Sequence, residues 1–551
     1  MEDRDASAGA DEVWFNGRIY TTDPSFSRVP ALAWKNGYIC YAGDDEGARK
    51  LAGRNTAVEN LAGKAVFPGF IDTHLHLEMY GDSLFKLCLR GCSKDQIIRL
   101  VQNAAERTPA GEWIVGGLGW DNGGWEDTSF PSLRDLDHAA PHNPVLLPRI
   151  DGHMVWLNSR ALAAAGITEE TPNPPGGEFL RGPDGRLAGC ASDAAADLVR
   201  KKIPPCDKKY RQKILLAAQD KLLGFGVTGV QDASSTEDLV ESLKELYRSG
   251  LFKLRVSGAL INALGDHADP GMAKCLARGP EIGLFDGSFT IRAVKLFADG
   301  SLGSGTAALM EDYSDRPGYR GKLMYDEAEL YRLVFEAAKR GMQLMVHAIG
   351  DAAIDETLSV FERVITGLSL KDHRFRIEHF QLIQGDFCHR AKRLGVLAAM
   401  QGAHGPNNAS MAEQRLGSGR AENSYALGKV QRILGRIAGG SDAPVANPNP
   451  LDGIHAALTR TNDKLRPPGG FYPENALSRD AAVRSYTSWA AYALFADRER
   501  GSLEAGKRAD LVLLDRDLME VPPDDIPGIQ VLRTVIGGET VYRRGSVSIP
   551  L

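Results

Sequence analysis

No stretch of the chain approaches the ~18 consecutive apolar residues of a membrane span, and the N-terminal Met1-Glu-Asp-Arg-Asp-Ala-Ser is acidic and polar, so a soluble intracellular protein is the expectation. Lysine and arginine gather only in short pairs such as Lys201-Lys202 and Lys208-Lys209, and the formal net charge is −6. The electrostatic footprint of a nucleic-acid binder is therefore missing, and those pairs read as a solvated face. Cysteine is scarce as well. The seven residues Cys40, Cys88, Cys92, Cys190, Cys206, Cys275 and Cys388 are odd in number and never spaced CxxC, which argues against a disulfide framework and against a cysteine-only zinc site. These absences point to a soluble, cytoplasmic protein with neither nucleic acid nor membrane as partner. What is present is bulk: 551 residues, 43% of them hydrophobic, exceed one typical domain and supply a large core.

Both chain ends have the texture of short strands. Val13-Trp-Phe precedes Asn16-Gly17, with Arg18-Ile-Tyr after it, and Ala31-Leu-Ala-Trp precedes Asn36-Gly37; both dipeptides predict hairpins. Asp510-Leu-Val-Leu-Leu and Val531-Leu-Arg-Thr-Val-Ile, with a turn at Gly537-Gly538, repeat the pattern at the far end. Neither piece buries a core alone, so the two ends are expected to pair into one small β-sandwich, residues 1–65 with 500–551.

Between them, residues 66–499 alternate β-rich runs with helical patterns. Eight candidate strands stand out: Val66–Asp72, Val227–Asp232, Lys253–Gly258, Ile291–Phe297, Met342–His347, Arg374–His379, Val396–Gln401 and Arg436–Ser441. With helices such as Tyr210–Gly224 and Asp326–Arg340 between them, they predict an α/β fold of the (β/α)₈ TIM-barrel type. About 155 residues separate the first two strands where a few dozen suffice, so residues from about 80 to 205 form an insertion after barrel strand 1. It holds Trp113, Trp120, Trp125 and Trp156 together with Gly119-Trp120-Asp121 and Asp151-Gly152-His153. Leaving from the C-terminal end of the first strand, it serves as a wall over the mouth, as an ordinary packed subdomain, or as a homodimer surface.

The chemistry gathers at strand ends. Phe67-Pro-Gly-Phe-Ile-Asp-Thr-His74-Leu-His76 carries an apolar run into two histidines at i and i+2, which an extended strand points to one face. The same end of later strands offers Lys295, His347, His379 and Asp442. Each alone has a plainer explanation: a core histidine, a snorkelling lysine, an aspartate capping a helix. Their recurrence at one end of successive strands is hard to assign to chance. Asp299-Gly-Ser-Leu-Gly-Ser is either a donor loop for a substrate oxygen or a plain glycine-rich turn. Trp120, Asp121 and His153 in the insertion, and His404 after strand seven, are candidates for binding substrate. His138, His142, His267, His373, His389 and His455 have no placement that argues for function.

The order His-x-His, Lys, His, His, Asp resembles the amidohydrolase superfamily. Phe67-Pro-Gly-Phe-Ile-Asp-Thr-His-Leu-His, Lys295-Leu-Phe-Ala-Asp-Gly-Ser-Leu-Gly-Ser, Val346-His-Ala-Ile-Gly-Asp, Arg376-Ile-Glu-His and Gly440-Ser-Asp-Ala-Pro resemble its N-substituted formamide deformylase-like branch over essentially the whole chain. The resemblance implies that His74, His76 and Asp442 hold one metal and His347 and His379 a second, with Lys295 bridging them as a CO₂-derived carbamate. One or two divalent ions are implied, zinc first, with Mn, Fe, Co or Ni also suited to such donors. Asp442 is then both ligand and proton carrier between the attacking water and the departing amine.

The expected function is a metal-dependent amidohydrolase cleaving non-peptide C–N bonds in a small-molecule amide, N-substituted formamides or other small N-acyl amines. The same site acting on a cyclic amide, urea, carbamate or ester is the enzymatic alternative. A metal-free amidohydrolase-like binding scaffold is the non-enzymatic one, and it predicts lost ligands, whereas all six are in the sequence.

Overall fold

The structure is a computed structural model that describes residues 9–204, 206–261 and 277–545; Cys275 and His267 lie outside the described residues. Its centre is a ring of parallel strands: β1 (Phe70–Leu75), β2 (Val227–Ser235), β3 (Arg255–Ile261), β4 (Phe289–Phe297), β5 (Gln343–Ala348), β6 (Arg376–His379), β7 (Leu397–Met400) and β8 (Ala438–Gly439). Each pairs with the next, from β1 through to β8. Both faces of these strands are covered, which is why β5 and β7 read as largely apolar runs. Helices such as Lys208–Gly224, Glu237–Arg248 and Glu327–Lys339 cross between strands, and Asp207, Thr236 and Asp326 cap their first turns.

The ring closes at β8 and β1 through single bonds. Thr73 Oγ1 donates to Gly439 O (2.9 Å), Ser441 N donates to Asp72 Oδ1 (3.0 Å), and Asp442 N donates to His74 O (2.6 Å). A Cβ at Gly440 would sit 2.8 Å from His74 N, so glycine is what lets the two ends approach. This seam carries His74 and Asp442 to the same point.

The first expected strand is divided. Ala65–Pro68 pairs with Leu511–Leu514 in a six-stranded sheet that also holds Arg18–Tyr20, Arg28–Val29, Val531–Ile536 and Glu539–Arg543, and the barrel strand begins only at Phe70. Gly69 marks the break, since a Cβ there would meet Thr228 Cγ2 at 2.2 Å. A four-stranded sheet of Glu12–Phe15, Ala31–Lys35, Tyr38–Gly43 and Ala57–Asn60 faces the six-stranded one across Trp14, Trp34, Ile19, Val66, Leu511 and Val535. Segments from opposite ends of the chain thus share one sandwich core. Asn36-Gly37 and Gly537-Gly538 turn hairpins. Asn16-Gly17 does not: the strands on either side belong to different sheets, and the dipeptide carries the chain from one to the other with Asn16 at φ 55°.

Within the insertion, Gly177–Arg181, Leu187–Ser192, Met154–Leu157, Val145–Pro148 and Ile114–Val115 form a sheet in that order. Trp120, Trp125 and Trp156 pack against one another in its core, with ring centroids 6.0 to 6.3 Å apart. The segment Arg149–His153 reaches the barrel mouth, where Asp151 accepts from Ser301 and Ser304 of the loop after β4. No helix among the described residues is long and apolar enough to cross a membrane.

Candidate active site

Strand periodicity delivers the first three groups. Asp72, His74 and His76 alternate with Thr73 and Leu75, so all three share one face; Asp72 is spent on the Ser441 and His74 amides, while the two histidines reach the cavity. Strand β6 departs from that period. Glu378 points inward as expected of its register, and His379 would face away, but φ of 70° at His379 and 43° at Phe380 turns the imidazole into the cavity and sends Phe380 to the core. Asp442, also left-handed at φ 60°, follows the β8 seam.

These side chains converge. His74, His379 and Asp442 each offer one donor atom within 4.8 Å of the others. Asp442 Oδ1 lies 3.2 Å from His76 Nε2 and 3.4 Å from His74 Nε2, and Lys295 Nζ lies 3.2 Å from His74 Nε2. The His347 ring is 4.6 Å from that of His379, and His347 Nε2 rests on the Gly300 carbonyl at 3.1 Å. All six expected ligands therefore line one cavity, although the grouping of His379 with His74 and Asp442 cuts across the division into two sets that the resemblance implies.

The imidazoles are oriented from behind. His74 Nδ1 donates to Glu378, which Arg376 also holds at 2.8 Å, and His379 Nδ1 donates to Gln401 Oε1 (2.9 Å). Each bond puts the proton on Nδ1 and leaves the Nε2 lone pair for the cavity. Burial favours the same neutral form: it pushes His74 down to about 4, and holds His347 and His379 well below the usual histidine range. Burial likewise lowers Lys295 to about 8 against the opposing pull of Glu378 and Asp442. The neighbouring imidazoles hold Asp442 well below the usual carboxylate range, overcoming burial, so it is the anion. His76 Nδ1 and His404 Nε2 are buried without any hydrogen-bond partner. Neutral imidazoles, an ionised carboxylate and orphaned ring nitrogens make a donor set that fits a divalent cation.

The cavity above measures about 620 Å³. Of the substrate-binding candidates, Asp121, His153 and His404 line it. His153 Nδ1 is held by Asp193 at 2.7 Å, Asp121 by Arg149 at 2.7 Å, and the His404 ring stacks on that of His379. Trp120 is not brought there. It is fully buried in the insertion core with its indole N–H on Leu147 O (2.7 Å), because a large apolar ring beside β-rich segments is drawn to the nearest core. In the Asp299 loop the Gly300, Ser301, Ser304 and Gly305 amides are bonded within the loop, and Leu302 and Gly303 between them line the cavity. Asp299 itself accepts from Ala308, Ile349 and Gly350 amides, and burial raises its carboxyl to about 7.

Sequence reasoning passed over Glu378, Arg376 and Gln401, which orient the imidazoles. Glu378 and Arg376 stand inside the Arg-Ile-Glu-His motif, and a charged pair in a strand buried on both faces is the signal that marks them. It also passed over Arg149 and Asp151, a buried ion pair at 2.7 Å on the opposite wall.

A protein-family model described as amidohydrolase family matches residues 57–542. Protein LONG AFTER FAR-RED 3 of Arabidopsis thaliana is 34% identical over 550 residues, spanning 97% of this chain and 92% of its own length. The N-substituted formamide deformylase of Arthrobacter pascens is 29% identical over 552 residues, spanning 97% of this chain and 98% of its own. Among solved structures, that of an uncharacterized metal-dependent hydrolase from Pyrococcus horikoshii OT3 superposes with a TM-score of 0.74 at 28% identity, covering 93% of this chain and 99% of that one.

Proposed function

The chain belongs to the amidohydrolase family, and from that premise we propose that it is a metal-dependent hydrolase of non-peptide C–N bonds, acting on N-substituted formamides or other small N-acyl amines. The observation that carries the reading is Asp442: an ionised carboxylate 3.2 and 3.4 Å from two imidazoles, on the floor of a cavity walled by Met79, Leu118, Ile150, Phe297 and Met411. Such walls suit an apolar N-substituent, and the polar floor suits the amide. The similarity to the A. pascens deformylase over nearly the full length of both chains supports the substrate class.

In this reading His74, His76, His347, His379 and Asp442 would hold one or two divalent ions, zinc first, and Lys295 as a CO₂-derived carbamate would add its oxygens to that donor set. A cation so held supplies Lewis acidity, polarising a carbonyl and bringing the pKa of water toward neutrality. Lys295, lowered to about 8, has a neutral fraction near pH 7, and only the neutral amine combines with CO₂. Asp442 takes the proton from the attacking water and hands it to the departing amine, which leaves poorly as an anion. Glu378 keeps the His74 proton on Nδ1 throughout. Burial of His74, Lys295, His347, His379 and Asp442 strengthens each of these contacts.

The test is amine release from N-formyl, N-acetyl and longer N-acyl benzylamines and alkylamines by the zinc-loaded protein, with Asp442→Asn as control. Turnover confined to formyl compounds and abolished in the variant supports the deformylase reading. No release from any of them retires it and moves the substrate to cyclic amides, ureas, carbamates or esters.

A further inference from the structure

Arg90 belongs to the insertion, yet it reaches the loop that carries Asp442. Leu89 beside it is fully buried in the insertion core, and Leu87 bridges to Gly116. A Cβ at Gly119 would sit 2.6 Å from Arg90 N, so the Arg90 backbone lies close against the insertion sheet. From there the guanidinium spends both hydrogens of Nη2 on backbone carbonyls, donating to Pro444 O (2.5 Å) and Val445 O (2.6 Å).

Those carbonyls belong to a tight turn at the end of the β8 seam. Asp442 O accepts from Val445 N (2.8 Å) and Ala443 O from His76 N (2.8 Å), while Ala443 N donates to Ser441 Oγ (3.0 Å). These bonds hold the first half of the turn, where Asp442 takes its left-handed φ of 60°. Pro444 O and Val445 O have no backbone donor among the described residues, and Arg90 supplies what the backbone does not. The insertion also touches the barrel at Asp151, but that contact ends on Ser301 and Ser304, in a loop without a candidate ligand. Through Arg90 it holds the catalytic turn itself.

We infer that Arg90 is a positioning residue for Asp442: by tying Pro444 and Val445 to the insertion it fixes the turn from which the carboxylate meets His74 and His76. The inference rests on the hydrolase reading, in which Asp442 moves the proton. Asp442 Oδ1 stands 3.2 and 3.4 Å from the two imidazoles, and a displacement of about 1 Å is enough to slow a reaction by two orders of magnitude. A guanidinium suits the task because it is planar and permanently charged, and its two N–H bonds leave one nitrogen in fixed directions, so two neighbouring carbonyls are set at once. The insertion therefore does more than wall the cavity.

Arg90→Met keeps a long side chain and removes the donors; Arg90→Lys keeps the charge and a donor. Both are made in the full chain. Hydrogen exchange, followed by mass spectrometry on the metal-free and the zinc-loaded protein, is expected to quicken on the order of tenfold over residues 441–446 in Arg90→Met, with residues 145–157 of the insertion sheet unchanged and Tm little moved. Zinc affinity, read by competition with a chelator, falls roughly tenfold. For amine release from N-benzylformamide, kcat falls about 10- to 100-fold with KM within about threefold of wild type. Arg90→Lys falls between Arg90→Met and wild type on each reading. Because Arg90 stands at the surface, guanidinium chloride at millimolar concentration restores part of the turnover lost in Arg90→Ala, which a merely structural contact would not allow. Unchanged exchange over 441–446 overturns the inference, as does unchanged kcat in an active enzyme. Exchange that quickens throughout the insertion together with a fall in Tm also overturns it and makes Arg90 a structural tie. If wild type releases no amine while exchange and zinc affinity change as expected, the N-acyl amine reading fails and the Arg90 contact stands. Should Arg90→Met not fold, Arg90→Lys carries the same arms.

Discussion

The cavity has two polar walls, and they differ in whether their groups are satisfied. On the insertion side, Asp151 accepts from Arg149, Ser301, Ser304 and its own neighbour His153 N, while Arg149 gives Nε to Asn122, NH1 to Asp151 and NH2 to Asp121. On the barrel side, His76 Nδ1, His404 Nε2 and Gln381 Nε2 have no partner, nor has Glu378 Oε1 behind them. Both walls bury charge. A closed network repays the cost of burial in the folded protein alone and so belongs to the scaffold, whereas an open one is completed only by what binds. The insertion wall therefore shapes the cavity, and the barrel wall acts on its contents.

Four changes break or sharpen that contrast. Asp442→Asn, on the open wall, is expected to lower turnover by roughly 10²- to 10⁴-fold with unfolding by urea little changed; a variant that keeps its rate removes Asp442 from proton transfer. Arg149→Met, on the closed wall, strands Asp121 and Asp151 and is expected to destabilise by about 3–5 kcal/mol while metal content stays at the wild-type level. Loss of metal instead would erase the distinction between the walls. Glu378→Gln frees the His74 tautomer and is expected to weaken metal affinity by roughly 10- to 100-fold, read by competition with a chelator; equal affinity would make Glu378 structural. The smallest effect lies outside both walls. Burial, with Glu327, Asp326 and Asp355 adding to it, raises Glu356 from 4.5 to about 7. The folded value is above the unfolded one, so the contribution is full below about pH 4.5 and is lost as pH rises through about 7. Glu356→Gln is thus expected to raise Tm over wild type at pH 8 and to match it at pH 4, with turnover unaffected at either.

Much of this molecule was legible along the chain. The eight barrel strands, the insertion and the pairing of the chain ends follow from runs of apolar residues and from what such runs must bury. The six candidate ligands were legible as polar groups at strand ends, although His379 reaches the cavity against its register, through a left-handed turn. Trp120 was misread because its neighbour Asp121 does reach the cavity, while the Trp120 ring turns into the insertion core. The division at Gly69 was missed because one apolar run feeds two sheets in succession, and periodicity is blind to a change of partner. Glu378, Arg149, Asp151 and Gln381 were illegible for a further reason: their partners, or their want of one, lie far away in sequence.

By itself, then, the sequence determined the elements and the faces they present, because local geometry repeats every two or 3.6 residues and burial selects the apolar face. It also offered candidates for the mouth of the barrel at the strand ends. Only the tertiary structure decided which of them meet. The approach of β8 to β1, two left-handed residues at the end of β6 and the descent of the insertion brought together atoms from segments hundreds of residues apart. Hydrogen bonds act over about 3 Å, a distance that pattern along a chain does not encode.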